Sequence, residues 1–231
     1  MMSTKLSNTN KAATMLESQG RSGVIRLLAL LAIVGVADFL LILASLHFLR
    51  PDVNPVLEPI STYAVGPYGF LFTAADIGSG LAALALMFGL YLGIAPPGRS
   101  YVGLFLLGLY GVSELLAGIF PLDVGGEATT FGTIHNIVGN IAFFAFPIAV
   151  TLLSLGMGKD ERWRSFRRPA LAVSFAVVLT VILTIVGSNI GLFGVTQRLA
   201  NVTALLWMLV VALHLRSVAQ GTLARRASRV R

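Results

Sequence analysis

The stretch VIRLLALLAIVGVADFLLILASLH, residues 24–47, decides the fold class of this chain. It is almost entirely apolar, and it exceeds the roughly 20 residues that a helix needs to cross a bilayer. Similar apolar stretches follow at residues 68–93, 100–120, 132–155, 169–186 and 196–215. Lipid cannot satisfy free backbone polar groups, so segments of this kind are expected to be helical. The sequence therefore predicts an all-α integral membrane protein, a bundle of six transmembrane helices.

The composition supports this class and excludes several kinds of function. The chain of 231 residues is 56% hydrophobic and only 12% charged, whereas a soluble domain is about 25% charged. It contains no cysteine, which excludes disulfides, thiolate metal sites and cysteine nucleophiles. No phosphate-binding loop or dinucleotide fingerprint occurs. We expect no cofactor and no nucleic-acid partner, and we interpret the net charge of +7 as contact with anionic membrane lipids.

The distribution of lysine and arginine predicts the orientation. Cytoplasmic loops carry an excess of these residues, and six spans place 15 of the 17 on one side. They are Lys5, Lys11, Arg21, Arg26, Arg99, Lys159, Arg162, Arg164, Arg167, Arg168, Arg216, Arg225, Arg226, Arg229 and Arg231. Only Arg50 and Arg198 fall on the other side. The pattern predicts a multi-pass protein of the cytoplasmic (inner) cell membrane with both termini in the cytoplasm.

The chain divides into one membrane domain and two polar tails. Residues 1–22 are polar and poor in aromatics, which is typical of a disordered tail. Residues 23–218 hold the six spans, and residues 219–231 form a basic tail. Both tails are expected to be cytoplasmic. In the basic loop between spans 4 and 5, Trp163 is expected at the membrane interface.

Polar side chains within the spans cluster toward the predicted outer side. A charge in the bilayer interior costs at least about 2.5–3.5 kcal/mol on insertion scales, so the acids are expected to face the bundle interior. We expect Arg198, which opens the sixth span on this side, to reach one of these acids. The predicted ligand-binding set is Asp38, Asp76, Glu114, His135, Asn136, Asn140 and Arg198. Ionisable residues in membrane spans are functional by default, and the cluster predicts a polar pocket in the outer half.

Three functions remain open for this pocket. The first is binding of a small amphiphile, a lipid headgroup or a cation. The second is an intramembrane hydrolase, in which Ser61, Asp123 and His135 would form a Ser/His/Asp arrangement or a metal-bound water would attack. The third is a scaffold without a site. A catalytic zinc usually takes three protein ligands, and His214 lies at the opposite end from His135, so no zinc site is assigned. A carboxylate-rich site for another divalent ion stays open.

The chain resembles a bacterial and archaeal membrane family known as domain of unknown function 998, over roughly residues 24–218. The motifs that carry the resemblance are Ile60-Ser61-Thr62-Tyr63 with Gly66, Gly118-Ile-Phe-Pro-Leu-Asp123, Gly132-Thr-Ile-His135, Arg162-Trp163-Arg164 and Gln197-Arg198-Leu199. The family implies a six-helix membrane protein of uncharacterised function. The order of loop Ser, post-helix Asp and helix-start His also weakly resembles the alkaline ceramidase and adiponectin-receptor-like hydrolases and the autophagy-modulator and Frag-like six-span proteins.

Overall fold

A computed structural model describes residues 2–227 of the chain, with side chains described for residues 19–221. Six long helices account for most of it, and no strand occurs among residues 2–227. The helices are α1 Met2–Leu49, α2 Gly69–Gly93, α3 Tyr101–Ile119, α4 Thr130–Gly156, α5 Arg167–Ser188 and α6 Phe193–Ala227. Short 3-10 helices occupy Ile60–Ala64, Pro96–Gly98 and Met157–Lys159. The predicted tails fall largely outside the described side chains and stay predictions.

All six helices contain a segment long and apolar enough to cross a membrane, with a mean hydropathy between 1.7 and 2.8. The shortest, α3, has 19 residues and is about 28 Å long at the helical rise of 1.5 Å per residue. That length matches a hydrocarbon core of roughly 30 Å. The predicted all-helical, multi-pass membrane fold with six spans is therefore confirmed.

Consecutive helices pack antiparallel, so the bundle has two distinct ends. For example, Met87 of α2 lies against Gly108 of α3, while Ile77 lies against Gly118. Helix α1 also packs on α6, which closes the bundle. We call the end where α1, α3 and α5 finish the distal end, and the end that both chain termini approach the termini end. The predicted outer-half cluster belongs to the distal half.

Glycines allow the central helix α2 to touch its neighbours backbone to backbone. A Cβ atom added at Gly80 would lie 2.6 Å from the carbonyl oxygen of Gly111. One added at Gly35 of α1 would lie 2.8 Å from the carbonyl oxygen of Gly78. Small residues give membrane helices this close approach, which favours van der Waals packing in lipid. The glycines at these contacts therefore serve tight helix packing.

The basic loop at the termini end is folded into the bundle. Trp163 is fully buried and packs edge-on against Phe166 and His214, so its side chain contacts protein rather than lipid headgroups, and its depth at the membrane interface stays a prediction. Two hydrogen bonds tie the loop to the end of α2: the backbone N–H of Ala95 donates to Asp160 at 2.7 Å, and Arg162, which pairs with Asp160 at 2.8 Å, donates to the Gly93 carbonyl at 2.9 Å. Burial raises the pKa of Asp160, but hydrogen bonds from Arg162 and backbone N–H groups outweigh it and the pKa is lowered.

Candidate functional site

The loop between α1 and α2 forms an ordered roof over the distal end. Its anchor is Arg50, a buried arginine that pairs with Asp52 at 2.8 Å. The same guanidinium donates hydrogen bonds to the carbonyl oxygens of Val65 at 2.7 Å and Pro67 at 3.1 Å. Because one side chain holds both ends of the loop, residues between them are fixed. The sequence predicts an ordered turn here from its prolines and glycines, but it does not reveal the role of Arg50.

The roof is also fastened to α6. The backbone N–H of Ile60 donates a hydrogen bond of 2.8 Å to the Oε1 atom of Gln197. Ile60 and Ser61 are both buried, and both line the cavity beneath. The roof therefore places the Ser61 side chain at the cavity wall rather than on an open surface.

Beneath the roof lies a cavity of about 130 Å³, which we call the inner cavity. Residues from α2, α3, α4, α5 and α6 line it, so it lies within the helix bundle and is partly open on one side. Its polar lining is Ser61, Asp76, Tyr110, Glu114, His135, Gln197 and Asn201. Its apolar lining includes Phe72, Ala142, Phe143, Phe146, Val177 and Ala204. A cavity of roughly 150 Å³ accommodates a benzene-sized molecule, so the inner cavity has room for a small headgroup.

Two carboxyl groups line the inner cavity from neighbouring helices, Asp76 on α2 and Glu114 on α3. Asp76 is only 6% exposed, and the two groups are close enough for their charges to repel one another. Within the described part of the chain, no protein group donates a hydrogen bond to either carboxyl. The cavity lining includes no lysine or arginine. Two acidic groups therefore share one buried space without a protein cation.

His135 lines the same cavity from the second turn of α4. Its Nδ1 atom lies 2.9 Å from the carbonyl oxygen of Phe120 and 3.3 Å from that of Ala117. A carbonyl oxygen only accepts, so Nδ1 carries the proton and donates. In the neutral ring, Nε2 is then the basic nitrogen, and it has no hydrogen-bond partner among the described residues.

A second pocket of about 330 Å³ continues from the inner cavity toward the bundle surface, between α4 and α5. We call it the lateral groove. It shares with the inner cavity the residues Ser61, His135, Gly139, Phe143 and Gln197. Asn136 and Asn140 line only the groove, and Asn140 donates a hydrogen bond of 2.7 Å to the carbonyl oxygen of Asn136. The structure thus brings five predicted polar residues to one connected space, namely Asp76, Glu114, His135, Asn136 and Asn140.

Asp38 lies elsewhere. Its side chain is exposed on the surface of α1 beside α2, and it lines neither pocket. The next residue, Phe39, is the one that α1 buries, in contact with Phe72. Adjacent positions on a helix point about 100° apart, so burial of Phe39 turns Asp38 outward.

Asp123 also lies outside both pockets. Asp123 binds Thr129, the residue that precedes α4. It accepts one hydrogen bond of 2.8 Å from the backbone N–H of Thr129 and one of 2.7 Å from the Thr129 hydroxyl. These two bonds lower the pKa of Asp123. Among the described residues, no hydrogen bond joins Asp123 to His135 or His135 to Ser61. The structure brings Ser61 and His135 to one cavity but does not connect Asp123 to them.

Arg198 makes no contact with the carboxyl groups of Asp38, Asp76 or Glu114, so the expectation that it reaches one of these acids is wrong. It donates hydrogen bonds to His47 Nε2 at 3.1 Å, to the Glu58 carbonyl at 2.8 Å and to the Gly194 carbonyl at 3.1 Å. Its guanidinium also lies 5.7 Å from the ring centre of Tyr63. Helix α1 supplies His47, the roof supplies the Glu58 carbonyl, and α6 itself supplies the Gly194 carbonyl, so these hydrogen bonds lie outside the cavity lining.

Tyr110 is a cavity residue that the sequence analysis missed. It is buried, and its ring centre lies 4.4 Å from that of Phe146. A tyrosine in an apolar helix is typical of core packing, and no local signal distinguishes this one. Its position one helical turn from Glu114 is the only clue in the sequence, since residues four apart share a helix face.

No three His, Asp or Glu side chains among residues 19–221 lie close enough together to hold a metal ion. For the carboxylate-rich divalent site that the sequence left open, the cavity offers two acids, the buried Asp76 and the partly buried Glu114. Divalent calcium takes six to eight oxygen ligands, so these two acids would need most of the coordination shell from water or substrate.

Comparison with known families agrees with the motifs found in the sequence. The model of the family described as Protein of unknown function (DUF998) matches residues 33–214. This match covers most of the chain, and the protein belongs to that family. No curated protein and no solved structure matches the chain.

Proposed function

We propose that this member of the family binds a small cationic ligand in the inner cavity. The ligand class comprises amphiphilic amines, lipid headgroups and simple cations. One observation carries the proposal: Asp76 and Glu114 share a buried cavity without a protein cation or hydrogen-bond donor among the described residues. Buried charges in proteins are normally paired, and a cationic ligand would supply the missing partner.

The electrostatics favour a cation over an anion or a neutral ligand. Two carboxylates in a space of low dielectric repel each other, and a positive charge between them removes both the repulsion and the desolvation cost. An anionic ligand would add to the repulsion. The amide of Asn201 and the free nitrogen of His135 add further acceptors at the cavity wall.

The aromatic lining favours an organic cation. Rings of Phe72, Tyr110 and Phe146 line the inner cavity beside the two acids. The faces of aromatic rings attract ammonium groups, and clusters of such rings recognise quaternary ammonium ligands. A hydrated metal ion would gain little from these rings. The combination of acids and rings therefore suits an alkylated ammonium group best.

We further propose that both termini are cytoplasmic and that the distal end faces the outside of a bacterial cell membrane. In the sequence, 15 of the 17 basic residues lie in the tails, the loops and the span ends on the side of the chain termini, which is the side that the positive-inside rule assigns to the cytoplasm. Arg50 and Arg198 are the two exceptions, and both are used to fasten the roof. The inner cavity would then lie in the outer half of the membrane.

The experiment is a thermal-stability screen of the purified protein with a panel of ammonium ions, lipid headgroup analogues and divalent cations. Wild type is compared with the double substitution Asp76→Asn, Glu114→Gln. Asp38→Asn is the matched control, because Asp38 is an acid in a membrane span that lines neither pocket. A ligand that binds only the folded state raises its stability. We expect a cation to stabilise wild type and Asp38→Asn but not the double variant.

Equal responses of wild type and the double variant to every compound would contradict the proposal. If the double variant and the Asp38→Asn control lose stability alike and no compound acts on wild type, a scaffold role without a site explains the protein better.

Hydrolysis is the second candidate, and one observation favours it. Ser61 and His135 line the same cavity, and the basic Nε2 atom of His135 has no partner among the described residues. A histidine in this state is suited to act as a general base. Ester and amide lipids incubated with wild type, Ser61→Ala and Asp123→Asn would test it. Turnover by wild type that Ser61→Ala abolishes would support hydrolysis, and no turnover by wild type would reject it.

A further inference from the structure

We infer that the ligand of the inner cavity is a single-chain cationic amphiphile that enters sideways from the bilayer, between α4 and α5. This inference rests on the proposed function, because it takes the cationic headgroup from it. It adds the alkyl chain, the route of entry and the source, which is the membrane rather than the aqueous phase.

The groove between α4 and α5 is open only toward the distal half. Nearer the termini end, Ser154 of α4 lies 3.0 Å from Ser174 of α5, hydroxyl to hydroxyl. Ser174 also donates a hydrogen bond of 3.2 Å to the carbonyl oxygen of Val150. These contacts hold the two helices together there. The lateral groove begins where they end, from the level of Phe143 and Phe144 upward.

The direct route from the distal end is covered by the roof. Ile60 is bound to Gln197 by its backbone N–H, and Arg50 ties the loop on both sides. A ligand that entered through the roof would have to displace this hydrogen-bonded loop. The lateral groove reaches the same cavity without breaking any of these bonds, because it runs beside the roof along α4.

The groove has both an apolar wall and a polar wall, which match the chain and the headgroup of an amphiphile. Phe144 is 52% exposed and Ile185 is 46% exposed, and both lie in membrane-spanning helices. They offer an alkyl chain a path into lipid. Asn136 and Asn140 are exposed one turn apart on the distal side of the same groove. Polar side chains facing hydrocarbon are costly, and a polar headgroup or water passing them would satisfy their amides.

Gly139 stands where the groove meets the inner cavity. It lines both spaces, and a Cβ atom added there would meet no atom within 4 Å. The other glycines at helix contacts are different, since a Cβ at Gly80 would collide with the backbone of Gly111. A large side chain at position 139 would therefore fill the passage without disturbing the helix packing.

The experiment compares two probes with the same headgroup, tetramethylammonium and dodecyltrimethylammonium, on protein in lipid nanodiscs. Dodecanol serves as the chain without the charge. The variants are wild type, Gly139→Phe and Gly23→Phe. Gly23 is the matched control because a Cβ there also meets nothing within 4 Å, and it lies at the termini end of α1. Thermal unfolding without probe establishes that both variants fold, and the probes are then titrated.

We expect dodecyltrimethylammonium to stabilise wild type and Gly23→Phe at a concentration about tenfold lower than tetramethylammonium, because partition into the bilayer raises its local concentration at the groove. Gly139→Phe should lose this response. Equal action of both ammonium probes on wild type would overturn the lateral route while leaving the proposed cation site intact. No response of wild type to either ammonium probe would overturn the cation site itself. Dodecanol acting as strongly as its ammonium counterpart would also overturn the inference.

Discussion

Replacing both cavity acids by their amides, Asp76→Asn with Glu114→Gln, is expected to make the ligand-free protein more stable. Both groups line a buried cavity, repel one another and receive no hydrogen bond from the described residues. Without a bound cation, two neighbouring acids in one cavity lower the stability of the folded protein. Conversion to amides removes the charge and leaves the side-chain shape nearly unchanged.

The magnitude follows from the environment of the pair. One ionised carboxyl in a membrane interior costs about 2.5–3.5 kcal/mol on insertion scales. An amide left with unsatisfied hydrogen bonds in the same place costs roughly 0.5–2 kcal/mol. The difference predicts a gain of about 0.5–3 kcal/mol in the free energy of unfolding for each carboxyl that is ionised in the folded protein. Asp38 is exposed on a membrane-spanning helix, so Asp38→Asn also removes the insertion cost of an acid, and it measures how much of the gain does not depend on the cavity.

The assay is equilibrium unfolding of the three proteins in the same detergent, without added ligand. The gain should appear as a shifted midpoint with an unchanged slope, which signifies a change of stability rather than of the unfolded state. A loss of about 1 kcal/mol or more in the double variant would refute the reasoning. It would mean that the acids make stabilising contacts and that their role is structural.

Three further predictions concern the framework around the site. Asp160→Asn should lower the free energy of unfolding by about 1–3 kcal/mol at neutral pH, because it weakens the contact with Arg162. The pKa of Asp160 is lowered from 3.8 in the folded protein, so the stability that its charge contributes is present above about pH 4 and is lost as the pH falls further. The thermal unfolding curves of variant and wild type should therefore converge in acid. Ser154→Ala should cost about 1–3 kcal/mol in chemical unfolding, since the buried indole N–H of Trp207 then loses its acceptor at 3.1 Å. Gly80→Leu should prevent assembly of the bundle, measured as loss of monodisperse protein on size exclusion, because its Cβ would meet backbone.

The six helices could be predicted from the sequence because hydropathy over a full membrane thickness is a strong and local signal. The predicted second span, residues 68–93, differs from α2, Gly69–Gly93, by one residue. The basic loop was harder, because hydrogen bonds of Asp160 and Arg162 with the distant residues Ala95 and Gly93 hold it against the bundle, where Trp163 is buried. These hydrogen bonds depend on how the chain turns after α4, which the composition of the loop does not determine.

The site could be predicted only in part, for reasons of helix rotation. The position of a residue along its span predicts its depth in the membrane, and this position predicted similar depths for Asp38, Asp76 and Glu114. Which way each faces depends on the rotation of its helix. Asp76 and Glu114 turn to the inner cavity, whereas Asp38 turns outward because Phe39 takes the buried position. A helix of uniformly apolar residues carries little rotational information, since its hydrophobic stripe is not marked by a polar face.

The most direct test of the central claim is native mass spectrometry of the protein released from its own membranes in mild conditions. We predict a small cationic adduct on wild type and on Asp38→Asn that is absent from the double variant Asp76→Asn, Glu114→Gln. An adduct of equal abundance on all three proteins, or an anionic one on wild type, would contradict the claim that Asp76 and Glu114 form a cation site.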